Sequence, residues 1–185
     1  MRNTLRRIAF GVLTTGMVAT MAMGASTTAA SASVSARSTA AVADHHMKLI
    51  WPVVRLGDRG PRVIKVQLLL NQHGIRVKVD GRFDFKTKLA VKFFQKRHGI
   101  FPSGIVTART WEALIVTVRK GSFGPAVAAV QFELRFVYGY KFVKVDGKFG
   151  QQTLWAVRLF QKRFHLFPDG VVGPRTWNAL VIHEK

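Results

Sequence analysis

Residues 79–97 read VDGRFDFKTKLAVKFFQKR, and residues 145–163 read VDGKFGQQTLWAVRLFQKR. Extending this alignment to residues 79–115 and 145–181 gives 20 identities in 37 positions, at an offset of 66. Upstream the offset is 64, so two extra residues lie between Leu134 and Val145. Self-similarity at a fixed period indicates two copies of one supersecondary unit. We place them at residues 51–117 (repeat 1) and 118–185 (repeat 2).

Each repeat contains three segments with helical periodicity. In repeat 1 the first begins at about Pro61, with Asp58 as its expected cap, and ends before Gly74. The second is expected over residues 85–98 and the third over residues 108–115. A unit of about 65 residues without disulfides has a marginal core, so we expect the repeats to pack on each other. The sequence therefore predicts an all-α fold with two tandem, small three-helix domains.

The N-terminal residues have the layout of a secretory signal peptide. Arg2, Arg6 and Arg7 precede a stretch without charge over residues 8–23, and small residues follow. We therefore expect a signal peptide over residues 1–32 and an Ala/Ser-rich linker over residues 33–50. An uncleaved anchor is the alternative, but the uncharged stretch is shorter than the roughly 20 residues of a membrane span. These features predict a secreted protein with no stable membrane span in its mature form.

The composition limits the partners and the chemistry of the chain. It has 29 Lys and Arg against 9 Asp and Glu, a net charge of +20, and no cysteine. Loss of the three leader arginines leaves 26 − 9 = +17, which favours anionic partners such as anionic wall polymers. Nucleic acid is disfavoured, because the chain is expected to be exported and has no basic stripe with interleaved base-stacking aromatics. The lack of cysteine excludes disulfides, thiolate zinc sites and cysteine nucleophiles.

Three motifs recur in the same order in both repeats. In their fullest form they are Gly-Asp-x-Gly-Pro-x-Val at residues 57–63, Asp-Gly-x-Phe-Gly-x-x-Thr-x-x-Ala-Val at 146–157 and Asp-Gly-x-Val-Gly-Pro-x-Thr-Trp at 169–177. This pattern resembles the bacterial peptidoglycan-binding domain of the three-helix type, and the resemblance covers nearly everything after residue 50. It implies a non-catalytic module of the kind that occurs beside amidases, carboxypeptidases and other wall hydrolases and holds them on murein.

The repeats depart from the family pattern at different places. Repeat 1 has Asp84 in place of Gly, Ser103 in place of Asp, and Thr107-Ala108 in place of Gly-Pro. Repeat 2 keeps those residue types but has Phe164-His165 where repeat 1 retains His-Gly. We therefore expect repeat 2 to make the larger contribution to binding. Both repeats are expected to act together, since a second contact at short range raises avidity.

The candidate peptidoglycan-binding residues are polar or aromatic side chains of these motifs. Carboxylates and amides hydrogen-bond to amides and hydroxyls, Arg pairs with carboxylates, and Trp covers sugar faces. Each type also has a structural interpretation: Asp caps a turn, Gln braces the core, Arg is solvated and Trp packs inward. Both interpretations stay open for the candidates, which are Asp80, Gln95, Arg97, Asp146, Gln161, Arg163, Asp169 and Trp177.

Catalysis is not predicted from the sequence. His73 and Asp80 have the seven-residue spacing found in zinc D,D-peptidases, but the flanking residues of that motif and a second acid–histidine pair are missing. Zinc catalysis needs three protein ligands and an open position. We therefore expect no enzyme activity, no metal and no cofactor. An accessory protein that docks a separate wall hydrolase or anionic wall polymers is the alternative function.

Overall fold

A computed structural model of the protein describes residues 49–183. The chain divides into two units, residues 1–44 and 45–185, and the described residues all belong to the second. The predicted signal peptide and residues 33–48 of the predicted linker lie outside the described residues. Among the helices of residues 49–183, none is both long enough and apolar enough to cross a bilayer.

Each repeat contributes three α-helices, as predicted, and residues 49–183 form no strands beyond isolated bridges. The repeats are similar in element order, and repeat 2 has in addition a short π-helical turn, a helix with wider i to i+5 hydrogen bonding. Repeat 1 holds α1 (Pro61–Gln72), α2 (Phe85–Arg97) and α3 (Ala108–Leu114); repeat 2 holds α4 (Pro125–Phe132), the π-turn (Glu133–Val137), α5 (Gln151–Arg163) and α6 (Pro174–Ile182).

The start of α1 differs from the expectation in one respect. The N-cap is Gly60, at φ 106°, and no side chain caps the helix. Asp58 lies two residues earlier, where its Oδ2 accepts a hydrogen bond from the backbone N–H of Arg55 at 2.9 Å. The prediction that Asp58 caps α1 is therefore wrong, because its carboxylate closes the preceding turn instead. Pro61 occupies the first helical position, where its missing N–H costs nothing.

The cores of the two repeats are built alike. Trp111 in α3 and Trp177 in α6 are completely buried, and each indole N–H donates to a backbone carbonyl of the segment that enters its repeat. Trp51 stacks on Trp111 with ring centroids 5.8 Å apart, so it packs on repeat 1. Bridges Val54–Val106 and Val118–Val172 tie the same entering segments to the loops before α3 and α6. Each repeat is thus closed by its own N-terminal segment.

The repeats pack on each other through α1 and α4, as expected for units of this size. At the centre of this contact Lys65 Nζ lies 2.9 Å from Glu133 Oε1, with both side chains fully buried. Lys65 Nζ also donates to the carbonyl of Leu180 at 3.1 Å. Burial lowers the pKa of Lys65 and raises that of Glu133, while their mutual attraction opposes both shifts. The interface therefore holds a charge pair that neither repeat could bury alone.

Further polar contacts cross the same boundary. The backbone N–H of Ala126, at the start of α4, donates to Gln72 Oε1 at 3.1 Å. Asn178 Nδ2 donates to the carbonyl of Ile50 at 2.7 Å, which joins α6 to the segment before repeat 1. Because these contacts come from both ends of the interface, the repeats are held in one orientation.

The two extra residues of repeat 2 alter the end of its first helix. Here the helix widens into the π-turn, in which the N–H of Tyr138 bonds to the carbonyl of Glu133, five residues earlier. The N–H of Tyr140 then reaches the carbonyl of Leu134 at 2.8 Å. Part of the length added between Leu134 and Val145 therefore lies in this widened helical end. The widening lies at Glu133, the residue that pairs with Lys65.

Candidate functional site

An Asp-Gly turn precedes the second helix of each repeat, and a buried glutamine holds it. In repeat 1, Gln67 Oε1 accepts from the N–H groups of Asp80 and Gly81, at 3.1 and 2.9 Å. Gln67 Nε2 donates to Asp80 Oδ1 at 3.0 Å and to the carbonyl of Arg82 at 3.1 Å. The side-chain amide of Gln67 thus forms hydrogen bonds with four polar groups of the turn, which lies outside the regular hydrogen bonding of helices and strands.

Repeat 2 reproduces this clamp with nearly the same distances. Gln131 Oε1 accepts from the N–H groups of Asp146 and Gly147, at 3.1 and 2.8 Å. Its Nε2 donates to Asp146 Oδ1 and to the carbonyl of Lys148, both at 2.9 Å. Gly147 has φ 69°, and a Cβ there would lie 3.3 Å from the carbonyl oxygen of Gly124. The invariant Asp-Gly pair therefore has a structural cause in both repeats.

Asp80 and Asp146 remain at the surface although one of their oxygens is used by the turn. The N–H of Arg82 and the amide of Gln67 lower the pKa of Asp80, and the N–H of Lys148 and the amide of Gln131 do the same for Asp146. Each carboxylate is therefore anionic at neutral pH. The turn hydrogen bonds engage Oδ1 only, and Oδ2 of Asp80 lies 3.7 Å from Nζ of Lys78 in an ion pair.

A second glutamine clamp holds the loop before the third helix. Gln95 Oε1 accepts from the N–H of Gly104, and Gln161 Oε1 accepts from the N–H of Gly170. In repeat 2, Gln161 Nε2 donates to Asp169 Oδ1 at 2.7 Å. In repeat 1 the same contact goes to Ser103 Oγ at 3.4 Å, a longer and uncharged bond. Gln95 and Gln161 each have about 1% of their surface exposed, so the contacts favour the structural interpretation of both amides.

The remaining candidates divide into buried and exposed side chains. Trp177 is fully buried and presents no surface to a ligand in this conformation. Arg97 and Arg163 end α2 and α5 at the surface, where their guanidinium groups lie 5.9 Å from the ring centres of Phe93 and Phe164. Asp169 is exposed beside its clamp. The exposed candidates that a ligand can reach are therefore Asp80, Arg97, Asp146, Arg163 and Asp169.

A groove in repeat 1 runs beside Asp80 to the start of α2. It has a volume of about 460 Å³ and combines both signs of charge. Asp84 caps α2 by accepting a 2.7 Å hydrogen bond from the backbone N–H of Thr87. This bond, together with a hydrogen bond from the Thr87 side chain, lowers the pKa of Asp84. In the sequence, Asp84 stands out only as a departure from the Gly of the family pattern. Its position four residues after Asp80, at the start of a helix, was the signal that could have placed it beside Asp80. The lining residues are Arg76, Val77, Lys78, Asp80, Asp84, Lys86, Thr87 and Ala90.

A different groove lies beside Asp146 in repeat 2. It is wide, mostly apolar and about 490 Å³ in volume. Leu68 of α1 forms part of its wall, so the packing of the repeats completes this groove. No sequence signal pointed to Leu68, since the contact depends on tertiary packing. The lining residues are Leu68, Phe123, Gly124, Pro125, Ala128, Val145, Asp146, Gly147 and Lys148.

No metal centre is formed by the described part of the chain. Among residues 49–183 no group of three or more His, Asp or Glu side chains lies close enough together to hold a metal ion. His73, which the zinc-peptidase alternative would use, has its Nε2 at 2.9 Å from the carbonyl of Leu114 and its ring against Phe94.

The family model described as "Putative peptidoglycan binding domain" matches residues 59–114 and 123–180. The chain belongs to this family. The two matched segments coincide with the two three-helix units of the structure. Their matched residues include both Asp-Gly turns and all four glutamine clamps.

Two of the relatives of this chain are longer proteins with enzyme names. N-acetylmuramoyl-L-alanine amidase CwlM of Mycobacterium tuberculosis is 31% identical over 150 residues, which cover 69% of the chain and 37% of the amidase. A spore cortex-lytic enzyme of Bacillus cereus is 41% identical over 68 residues, covering 37% of the chain and 26% of that enzyme. The chain thus spans well under half the length of these two relatives.

A solved peptidoglycan-binding protein of Clostridioides difficile, in complex with glutamine hydroxamate, is also similar to this chain. It is 42% identical, and the match covers 36% of this chain and 40% of that one with a TM-score of 0.34.

Proposed function

We propose that the protein is a secreted, non-catalytic, wall-associated protein that binds peptidoglycan through the grooves beside Asp80 and Asp146. One observation carries the proposal: both repeats use a buried glutamine to hold an anionic carboxylate at the edge of a groove. A side chain held in place before binding loses little entropy when a ligand arrives. The membership of the chain in a peptidoglycan-binding family supports murein as that ligand.

The chemistry of the grooves suits different parts of murein. The repeat 1 groove combines Asp80 and Asp84 with Lys78 and Lys86, which pair with the amide, amine and carboxylate groups of stem peptides. The repeat 2 groove is apolar with Asp146 at its edge, which suits the methyl groups of acetamido and alanyl units. Arg97, Arg163 and Asp169 remain candidates for contacts beyond the grooves.

The two repeats are proposed to bind bivalently. Because α1 and α4 hold them in one orientation, a chain bound at one groove presents the other at a fixed distance. A second, intramolecular contact of this kind raises avidity by roughly 10²–10⁴. Weak single sites are then sufficient for stable attachment to the wall.

A pelleting assay with purified, insoluble sacculi tests the proposal. Asp80→Asn and Asp146→Asn are combined in one variant, because an amide keeps the Oδ1 acceptor of each turn while it removes the charge. Asp58→Asn is the matched control, since Asp58 also closes a turn but lines neither groove. We expect the double variant to bind at least about tenfold more weakly, because one to two charge-assisted hydrogen bonds to the ligand are lost. We expect the control to bind as tightly as the wild type. Equal binding by all three proteins would contradict the groove assignment.

The same sacculi test the non-catalytic part of the proposal. Incubation with the protein should release no reducing ends and no free amines above a heat-inactivated sample. Release that exceeds this background would assign a hydrolase activity to the chain.

Anionic wall polymers form a second candidate partner, favoured by the +17 charge of residues 33–185. Adsorption by charge alone is screened by salt, and the Debye length falls to about 3 Å at 1 M. We expect groove binding to sacculi to survive 1 M salt in part. If removal of anionic polymers or addition of 1 M salt abolishes all binding, the protein adsorbs to these polymers by charge and the grooves do not bind murein.

A further inference from the structure

The outer face of α2 carries an apolar stripe that nothing in the described chain covers. Phe85, Leu89 and Phe93 follow one another at intervals of four residues, so they line one face of the helix. Their side chains are 62%, 49% and 54% exposed. The opposite face of α2, with Val91 and Phe94, is buried in the core. The exposed stripe is therefore not needed to fold repeat 1.

Helix α5 has a matching stripe in repeat 2. Trp155 and Leu159 occupy the positions of Leu89 and Phe93, and they are 64% and 37% exposed. The ring of Phe142 lies 6.3 Å from that of Trp155, which extends the apolar area beyond the helix. Both repeats therefore keep large apolar residues at equivalent surface positions, although the residue identities differ.

All charged residues of these two helices are basic. Helix α2 contains five lysines or arginines and α5 contains three, while neither contains Asp or Glu. The guanidinium of Arg97 lies over the ring of Phe93 at 5.9 Å, so charge and apolar surface are in direct contact. The basic residues are Lys86, Lys88, Lys92, Lys96 and Arg97 in α2, and Arg158, Lys162 and Arg163 in α5.

A partner for these faces must offer hydrocarbon and negative charge together. A polyphosphate or polyuronate supplies the charge but leaves the leucines in water. Sugar rings stack on aromatic faces, but they give Leu89 and Leu159 no comparable contact. A second copy of the chain would bring two basic faces together, which like-charge repulsion opposes.

We propose that the α2 and α5 faces bind the surface of an anionic lipid bilayer. Helices with Trp, Phe and Leu beside Lys and Arg lie in the interfacial plane, with the apolar side chains among the acyl chains and the basic ones at the headgroups. The apolar stripes lie on different residues from the two grooves, and of the basic residues only Lys86 also lines a groove, so the site does not depend on the proposed wall binding. The protein then has a wall-binding and a membrane-binding surface on one compact unit.

The tryptophans of the chain provide a direct test. Trp155 is exposed, whereas Trp51, Trp111 and Trp177 are 6%, 0% and 0% exposed. Insertion of the α5 face into a bilayer therefore shifts the emission of Trp155 to shorter wavelength and leaves the three buried indoles unchanged. Residues 33–185 are used, because they contain the whole compact unit from His45 onward and omit the apolar leader.

The binding measurement uses vesicles with and without an anionic lipid. With phosphatidylglycerol mixed into phosphatidylcholine, we expect co-sedimentation and a blue shift; with phosphatidylcholine alone we expect neither. Leu159→Ser and Phe93→Ser should each weaken vesicle binding by roughly fivefold, from the loss of one buried apolar side chain, while sacculus binding is unchanged. Phe136→Ser is the matched control, since Phe136 is 63% exposed but lies outside both stripes.

Three outcomes would overturn the proposal. Binding to anionic vesicles without a Trp155 shift, equally by wild type and by the two stripe variants, would mean charge adsorption only. Loss of sacculus binding in the stripe variants would assign the stripes to murein. Self-association that Leu159→Ser or Phe93→Ser abolishes, without any vesicle binding by the wild type, would mean that a second copy covers the stripes.

Discussion

The two repeats share their clamps and differ in what surrounds them. The four distances from Gln67 to its Asp-Gly turn and the four from Gln131 agree within about 0.2 Å, whereas the groove beside Asp80 is charged and the groove beside Asp146 is apolar. Repeat 2 has a π-turn where repeat 1 has a regular helix end. It also has His165 at φ 53° where repeat 1 has Gly99 at φ 63°. The turn and its glutamine are therefore common to both repeats, but the two grooves are not equivalent: the one beside Asp80 extends to α2, and the one beside Asp146 extends to the start of α4.

The largest expected effect concerns the ion pair that joins the repeats. Lys65→Met removes the cation paired with buried Glu133 and leaves Arg62 as the nearby cation, and breaking a buried pair by removing one partner costs about 3 kcal/mol or more. The free energy of unfolding, measured with urea, should fall by that amount. Combining Lys65→Met with Glu133→Leu should restore most of the stability, because both charges are then gone. If the double variant is as unstable as the single one, packing volume and not charge sets the cost.

Because the Lys65–Glu133 ion pair joins the repeats, they are best compared within the intact chain. Repeats expressed as separate halves would expose Leu68 and the charged pair, so weak binding by a half would mix loss of folding with loss of bivalency. Point variants in the intact chain avoid that problem.

The next effect is a difference in binding between the two Asp-Gly turns. We expect Asp146→Asn to weaken sacculus binding by roughly tenfold and Asp80→Asn by less, since one charge-assisted hydrogen bond is lost in each. The groove beside Asp146 adds apolar contacts that the groove beside Asp80 lacks. Sacculus pelleting at equal protein concentration measures both variants. A larger loss with Asp80→Asn would reverse the ranking of the repeats.

A smaller effect comes from the loop before the third helix. Asp169 Oδ1 accepts from Gln161 Nε2 at 2.7 Å and from the N–H of Val171 at 2.8 Å, while Ser103 Oγ makes longer bonds in repeat 1. Asp169→Ser should therefore lower the free energy of unfolding by about 1 kcal/mol. Ser103→Asp should raise it, because it restores the shorter, charge-assisted bonds. Urea unfolding of both variants makes the comparison; a destabilising Ser103→Asp would show that repeat 1 has adapted its loop to serine.

The smallest effect concerns the backbone after the second helix. His165 is the only residue among 49–183 other than glycine with a positive φ. Replacing it by Gly relieves the strain of the left-handed conformation, which the greater freedom of Gly in the unfolded chain partly offsets. We expect His165→Gly to raise the free energy of unfolding by about 0.5 kcal/mol, and therefore to raise the thermal midpoint slightly. Gly99→His in repeat 1 should lower it by a similar amount; no change in either would mean that neighbouring contacts of His165 balance its strain.

The repeat and the helices follow from local patterns, so the sequence predicts them. The identities between residues 79–115 and 145–181 locate the units, and Pro61, Gly74 and Gly99 mark helix boundaries. The cap assigned to Asp58 was wrong because two residue types that favour helix starts, Asp and Gly, stand close together there. Local pattern does not say which of them the backbone uses.

The site was harder to predict because its parts depend on tertiary contacts. Periodicity places Gln95 and Trp177 on inward faces, but it does not identify their hydrogen-bond partners, so both interpretations stayed open for them. Leu68 lines the groove of the other repeat only because α1 packs on α4. The same packing buries Lys65, a residue that composition alone assigns to the surface. Long-range burial is the information that one sequence does not contain.

The interface of α1 with α4 also has a mechanical consequence. If each groove holds a different strand of the wall, tension between the strands passes through the protein. That load runs across the helix–helix contact and its buried ion pair, in parallel with the connecting peptide between α3 and α4. The helix–helix contact then sets the stiffness of the cross-link, and the connecting peptide keeps the repeats joined after the helices separate. A molecule of this kind adds stiffness to the mesh it occupies, up to the load at which the repeats come apart.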